Sequence, residues 1–338
     1  MSHRSPSVPG VSIAGPPGPA RPSHGSRPDP ARSPAAARRT PALSPSRAKD
    51  FTQCALLYRF RAVDRLPEPV SRAQVRGTLV HAVLEALFAL PAQERVPARA
   101  HALAVDVWQR IVAEDAAVAE CVPPAEHEGM LRDAHTLLDT YFTLEDPTAV
   151  DAALCEMLVE TEIPAQSLRV AGIEPGAASE VTRHLPTVPL RGIVDRLDVS
   201  PTGEVRVVDY KTGRAPSERA ESAALFQLEF YAAMLARTRG TVPSELRLMY
   251  LGSGTVLTYR PDAERLARVE RTLAAMWSAI VDTGATGAYE PSPSRMCRWC
   301  SHRALCPAFG GTPPPYPGRP AGGEAAPSAS TPTEVLPA

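Results

Sequence analysis

The sequence predicts an α/β domain in which a block of helices precedes a mixed β-sheet flanked by further helices. Three observations carry that expectation. Apolar residues recur at helical spacing through most of the region before Pro147. After Pro147 the pattern shifts to short strand-like runs, two of them joined by the turn Ser200-Pro-Thr-Gly203. Both ends of the chain are instead rich in Pro, Ser and Gly and show no periodicity that could close a core.

Taken in order, residues 1–43 are dominated by Pro, Ser, Gly, Ala and Arg and are expected to form a basic, disordered tail. Ser44 is a suitable N-cap with Pro45 in the first turn, so a short helix should begin there and carry Cys54 near its end. From about Ser71 to Leu90, the residues Val75, Leu79, Val83, Leu87 and Leu90 form one buried stripe. His81 and Glu85, four apart, share a different face of that helix. Helical patterns at 98–120 and 126–143 are separated by Pro123 and Pro124, giving an all-helical insertion over 91–145.

Strands are then expected at 154–163, 190–199 and 204–210, the last two forming a hairpin. A helix at 220–238, strands at 245–250 and 255–259 and an amphipathic helix at 262–283 after Pro261 complete a sheet of four or five strands. A second tail is expected over 310–338, leaving a folded body of 44–309 with a cysteine-bearing segment at 295–309. No repeat of fixed period occurs.

Composition limits the function. The 36 basic and 37 acidic residues give a net charge of −1, which excludes a polycation that coats nucleic acid by bulk charge. Any DNA contact must use a local basic groove. No window approaches the roughly 18 consecutive apolar residues of a membrane-spanning helix, and no apolar leader follows the N-terminus, so a cytoplasmic, non-membrane protein is expected. Six cysteines are too few for a disulfide-dense scaffold, and clustered cysteines therefore read first as metal ligands. Lysine occurs only at 49 and 211; every other basic side chain among the Lys and Arg is Arg.

The hairpin carries the chemistry. Residues two apart on a strand share a face, which makes Asp209 and Lys211 neighbours. Hairpin pairing can bring Asp195, which follows Ile193 and Val194, within reach of Asp209. Two carboxylates held together are costly unless a cation sits between them. Hard oxygen ligands suit Mg²⁺ or Mn²⁺, and a metal-acidified water beside an ammonium suits phosphodiester hydrolysis. Lysine supplies a compact point charge that arginine does not. An Asp-x-Lys triplet alone fits a surface ion pair at a strand end equally well.

The neighbouring motifs add specificity. Gly77-x-x-x-His81-x-x-x-Glu85, Gly192-Ile-Val-Asp195-Arg196, Asp209-Tyr-Lys211-Thr-Gly213 and Gln227-x-x-x-Tyr231 occur in that order. Together they resemble the RecB-like exonuclease family of the PD-(D/E)xK nuclease superfamily, over about Ser44 to Phe309. One departure is Val194, where the superfamily's name places a proline before the first acid. The resemblance implies a restriction-endonuclease-like core and DNA as substrate. It implies Asp195 and Asp209 as metal-binding carboxylates, His81 and the Tyr210 carbonyl as further ligands, and Lys211 as the catalytic lysine. Gln227 and Tyr231 would support the site and contact DNA, and Glu85 is either the partner of His81 or a helix-face charge. Arg196, with Arg76, Arg191 and Arg214, is a candidate phosphate contact. Asp198, on the face opposite Asp195, is expected to be structural.

The stretch Met296-Cys-Arg-Trp-Cys-Ser-His-Arg-Ala-Leu-Cys306 places Cys297, Cys300 and Cys306 within ten residues, with Cys54 far upstream. Such spacing is a metal signal, and four thiolates suit either tetrahedral zinc or a [4Fe-4S] cluster. A subset of the resembled family carries one cysteine before the nuclease core and three after it, and these hold a [4Fe-4S] cluster, which is the implication here. His302 is an alternative ligand, whereas Cys121 and Cys155 read as ordinary buried residues. The leading expectation is a metal-dependent DNA exonuclease of repair or recombination. The alternatives are a non-catalytic DNA-end-binding module beside a helicase, and a zinc-stabilised interaction protein. The chain has no Gly-x-x-x-x-Gly-Lys-Ser/Thr loop, so unwinding would need a partner.

Overall fold

The computed structural model describes residues 42–164, 187–216 and 218–318; most of the two expected tails lies outside the described residues. The first helix, α1 (Pro45–Gln53), starts as its sequence dictates, with the Ser44 hydroxyl accepting from the Arg47 N–H and Pro45 in the first turn. Leu43, expected in the tail, is instead fully buried and bridges to Leu190, its N–H donating to the Pro189 carbonyl at 2.8 Å. Cys54 adopts an extended backbone that separates α1 from α2 (Ala55–Tyr58), which runs into a π-helical turn at Arg59–Val63.

Helix α3 (Arg72–Phe88) opens on a reciprocal capping box between Ser71 and Gln74 and buries Val75, Leu79, Val83 and Leu87. The expected helix over 98–120 is two helices, α4 (Pro97–Glu114) and α5 (Ala116–Cys121). Asp115 divides them because its carboxylate caps the Ala117 and Val118 N–H groups. Helix α6 (His127–Leu144) completes the insertion.

The sheet contains β1 (Ala152–Pro164), β2 (Thr187–Val199), β3 (Val205–Lys211), β4 (Glu245–Tyr250) and β5 (Thr255–Tyr259) in spatial order 1-2-3-4-5. Helix α7 (Glu218–Arg239) connects β3 to β4, and α8 (Ala263–Thr286) follows β5. The crossover through α7 makes β3 and β4 parallel; the other pairings are antiparallel. Each face of β3 is covered. Val207 packs with Phe230, Met234, Leu273 and Trp277, while Val208 and Tyr210 pack with Leu79, Val83, Leu138 and Tyr141. Burial on both faces fits the adjacent apolar pair Val207 and Val208, where a half-exposed strand would alternate. Each such side chain removed from water contributes about 1.5–3 kcal/mol.

The folded body extends beyond residue 309. Tyr316 donates its hydroxyl to the Gly284 carbonyl at 2.7 Å and lies 5.6 Å from the Tyr289 ring, and the Arg59 guanidinium bonds the Pro314 carbonyl. Gly287 ends α8 with φ 72°, and a Cβ there would stand 2.8 Å from the Tyr316 ring. Among the described residues no helix is long and apolar enough to cross a membrane.

Candidate active site

The site lies where two strand ladders lose their regularity together. The β2–β3 register runs from Val199–Val205 to Arg196–Val208 and stops, although one further step would set Asp195 opposite Asp209. Beyond that point the Tyr210 N–H donates to Asp195 Oδ2 at 2.8 Å, so a carboxylate replaces the strand partner. On the other side, the pairs Cys155–Arg196 and Met157–Val194 set Glu156 opposite Asp195. Glu156 has φ 47°, a left-handed conformation rare for a side-chain-bearing residue. Facing also changes here. Met157 packs with the α7 side and Cys155, two residues earlier, with the helical insertion, while Val194 and Leu197, three apart, share one core. A residue held in the left-handed conformation costs on the order of 1–3 kcal/mol and is a known companion of functional sites.

Helix α3 supplies the third side of the fork. His81 Nδ1 lies 3.5 Å from Asp195 Oδ2 and 3.8 Å from Glu156 Oε1. Its Nε2 lies 3.0 Å from the Tyr210 carbonyl. A carbonyl can only accept, so Nε2 carries the proton and Nδ1 faces the carboxylates. Among the described residues, His81, Glu156 and Asp195 are the one grouping of three ligand atoms within 4.8 Å of one another. Burial first, and then the charge of Asp209, pushes the Asp195 carboxyl up to about 7. Burial works against a charged His81, yet Glu156, Asp195 and Asp209 outweigh it and raise its pKa. Oxygens from two carboxylates and one imidazole nitrogen, drawn together at this cost, fit a hard divalent ion such as Mg²⁺ or Mn²⁺.

A second group adjoins the first. Asp209 is 1% exposed, and its Oδ1 accepts from Gln227 Nε2 at 2.9 Å. Lys211 Nζ stands 2.7 Å from Asp209 Oδ2, an ion pair not aligned as a hydrogen bond. The ammonium also donates to Gln227 Oε1 at 3.0 Å, and Gln227 Nε2 donates to the Tyr231 hydroxyl at 3.3 Å. One amide thus fixes the acid, the lysine and the tyrosine together. Tyr231 reaches this position by lying over Gly192, where a Cβ would meet its ring at 2.7 Å.

Several expected residues therefore converge: His81, Asp195, Asp209, the Tyr210 backbone, Lys211, Gln227 and Tyr231. The three-atom ligand group, however, contains Glu156 and not Asp209, whose oxygens face Gln227 and Lys211. Glu156 escaped the sequence reading, and its one signal is an acid within the strand run Leu-Cys-Glu-Met-Leu-Val. Glu85 is exposed and makes no hydrogen bond or ion pair with His81; Glu156 and Asp195 occupy that role.

Arg196 is not a phosphate contact. It is fully buried, bonded through Nε to Asp198 Oδ1 at 2.9 Å, through Nη1 and Nη2 to Glu145 at 2.7 and 2.9 Å, and through Nη1 to the Tyr210 hydroxyl at 2.6 Å. Its guanidinium also lies over the Phe88 ring at 4.6 Å. Asp198 belongs to this network, on the sheet face away from the carboxylate fork. Arg191 pairs with Glu160 at 3.5 Å, and Arg214 is exposed.

All six cysteines are free thiols, and Cys54, Cys297, Cys300 and Cys306 line one cavity with Leu56, Leu57 and Phe60. The Ser292 N–H points at Cys54 Sγ (3.4 Å) and the Ser294 N–H at Cys297 Sγ (3.3 Å). Among the described residues, no three of these sulfurs lie within 4.8 Å of one another. His302 is buried against Phe60 with Nε2 2.8 Å from Glu68 Oε1, facing a carboxylate partner of its own. Cys121 and Cys155 pack elsewhere, against the core of the helical insertion.

A family model described as the PD-(D/E)XK nuclease superfamily matches residues 42–307. Among solved structures, the chain is similar at 13% identity and a TM-score of 0.49 to a Eubacterium rectale protein described as a "Putative exonuclease", with 77% of this chain and 87% of that one covered. A crystal structure of SSO0001 aligns at 15% identity and a TM-score of 0.33, covering 70% of this chain and 97% of that one. No curated protein matches the sequence. With the model spanning the helices, the sheet and the fork between β2 and β3, the chain belongs to the PD-(D/E)XK nuclease superfamily.

Proposed function

We propose that the chain is a divalent-metal-dependent DNA exonuclease of the RecB-like type, acting in repair or recombination in the cytoplasm, with a helicase or other repair protein as partner. One observation carries the reading. The three-ligand group of His81, Glu156 and Asp195 adjoins a lysine that Asp209 and Gln227 hold at hydrogen-bonding range.

In this reading Glu156, Asp195 and His81 Nδ1 hold Mg²⁺ or Mn²⁺, with Asp209 and the Tyr210 carbonyl beside them. When bound there, the ion supplies Lewis acidity toward a phosphate oxygen and lowers the pKa of a water. The residues do the rest. Gln227 and Asp209 fix the Lys211 ammonium where negative charge develops on the phosphorus oxygens or where the attacking water must be oriented. Tyr231 holds Gln227 in register against Gly192. Buried Tyr210 presents its N–H to Asp195 and its carbonyl to His81, so the backbone of one residue fixes two ligands. The cavity of Cys54, Cys297, Cys300 and Cys306 is proposed to hold a [4Fe-4S] cluster, a reading supported by the four free thiols that line it.

The test is cleavage of end-labelled single- and double-stranded DNA with Mg²⁺, Mn²⁺ or EDTA, by anaerobically purified wild type beside Lys211→Ala. Shortening from an end by wild type with Mg²⁺ or Mn²⁺ and not with EDTA, lost in the variant by about a hundredfold or more, is expected for a group acting in the transition state. If both proteins bind DNA and neither cuts it, the catalytic reading falls, and a non-catalytic end-binding module replaces it.

A further inference from the structure

The cysteine segment presents a surface that the fork does not use. From Pro291 to Gly311 the sequence contains Arg295, Arg298 and Arg303 and not one acid, in a chain whose charges otherwise nearly cancel. Trp299 is 68% exposed and Phe309 43%, and they are the only exposed Trp or Phe among the described residues; Trp108 and Trp277 are buried. Met296, in the same segment, is exposed too. Each aromatic ring carries an arginine, Arg298 lying 5.1 Å from the Trp299 ring and Arg303 4.5 Å from the Phe309 ring. Leaving such rings in water gains nothing for the fold, and arginines over both rings call for an anionic partner with flat faces.

We infer that Arg295, Arg298, Trp299, Arg303 and Phe309 form a binding platform for single-stranded DNA, on which unpaired bases stack against the two rings while the arginines take the phosphates. The inference deepens the nuclease reading and rests on it for the choice of DNA. Charge favours nucleic acid over a protein partner, because the segment itself carries three arginines and no acid, while neighbouring Glu68 is taken up by Arg61 and His302. Aromatic stacking favours single strands, since duplex bases hide their faces.

The experiment is fluorescence anisotropy of a labelled thymidine oligonucleotide and of a blunt duplex, in EDTA, with the full anaerobically purified chain. Trp299→Ala is expected to weaken single-strand binding by about tenfold or more, as loss of one stacking ring does. Trp299→Phe retains most of the affinity, and the blunt duplex is little affected by either change. Changing Arg298 and Arg303 together to Gln lowers the slope of log affinity against log salt by roughly 1.4. Single-strand affinity of Trp299→Ala within about twofold of wild type overturns the platform, as does a wild type that prefers the duplex. Trp299-dependent binding without cleavage leaves the platform standing and removes only the catalytic reading.

Discussion

Asp195 is held against its own ionisation. Burial and Asp209 raise its pKa to about 7 from an unfolded value near 4, so the folded chain binds this proton more tightly than the unfolded chain does. The sign follows: without metal, the group erodes stability as pH rises from about 4 to about 7, by an amount on the order of a few kcal/mol. Asp195→Asn should therefore melt higher than wild type at pH 8 in EDTA and no higher at pH 4, while losing cleavage. Scanning calorimetry in EDTA checks it. Added Mg²⁺ should raise the wild-type melting temperature and leave the variant unmoved. Glu156, set opposite Asp195 with a left-handed backbone, makes the next prediction. Glu156→Gln should weaken Mn²⁺ binding, read by calorimetric titration, by more than the roughly tenfold to hundredfold that loss of an outer partner costs.

At the scale of elements, the buried guanidinium of Arg196 ties β2 to α6 and to Tyr210. Burial alone would raise the pKa of Glu145, but Arg196 outweighs it and holds the carboxyl below the usual range. Removing the arginine strands Glu145 and Asp198, both nearly buried, with only partial help from Arg206 and Arg247. Arg196→Ala should lose about 3 kcal/mol or more in urea denaturation, since breaking a buried pair typically costs about 3–5 kcal/mol. The sequence could not assign this role. An Arg beside an acid in a hairpin reads the same whether it faces DNA or a helix forty or more residues upstream, and only tertiary packing distinguishes them. Glu156 was hidden for a related reason: strict alternation gives no warning of one residue turned into a left-handed conformation. Asp195, Asp209 and Lys211 were legible because strand alternation and hairpin pairing put them together, whereas His81, Gln227 and Tyr231 were legible only through the ordered motifs that resemble the nuclease family. Element limits followed capping chemistry closely at Ser44 and Ser71, and failed at Asp115, which reads as helix interior until its carboxylate caps the next turn.

On the scale of the whole molecule, the four-cysteine cavity joins α2 to a segment more than two hundred residues later, closing a loop whose entropy grows slowly with length. Cys54→Ser should lose bound iron and lower the denaturation midpoint, whereas Cys121→Ser should do neither; iron analysis and a urea titration read both. The placement of that cavity has a consequence in time. Every residue of the fork, from His81 through Tyr231, lies between Cys54 and Cys297 along the chain. A ribosome that has translated all of the fork has still not made the segment carrying Cys297, Cys300 and Cys306. Closure at this cavity thus comes only after every residue of the fork has been made, and a product truncated before Arg295 would carry the fork without the clasp around it.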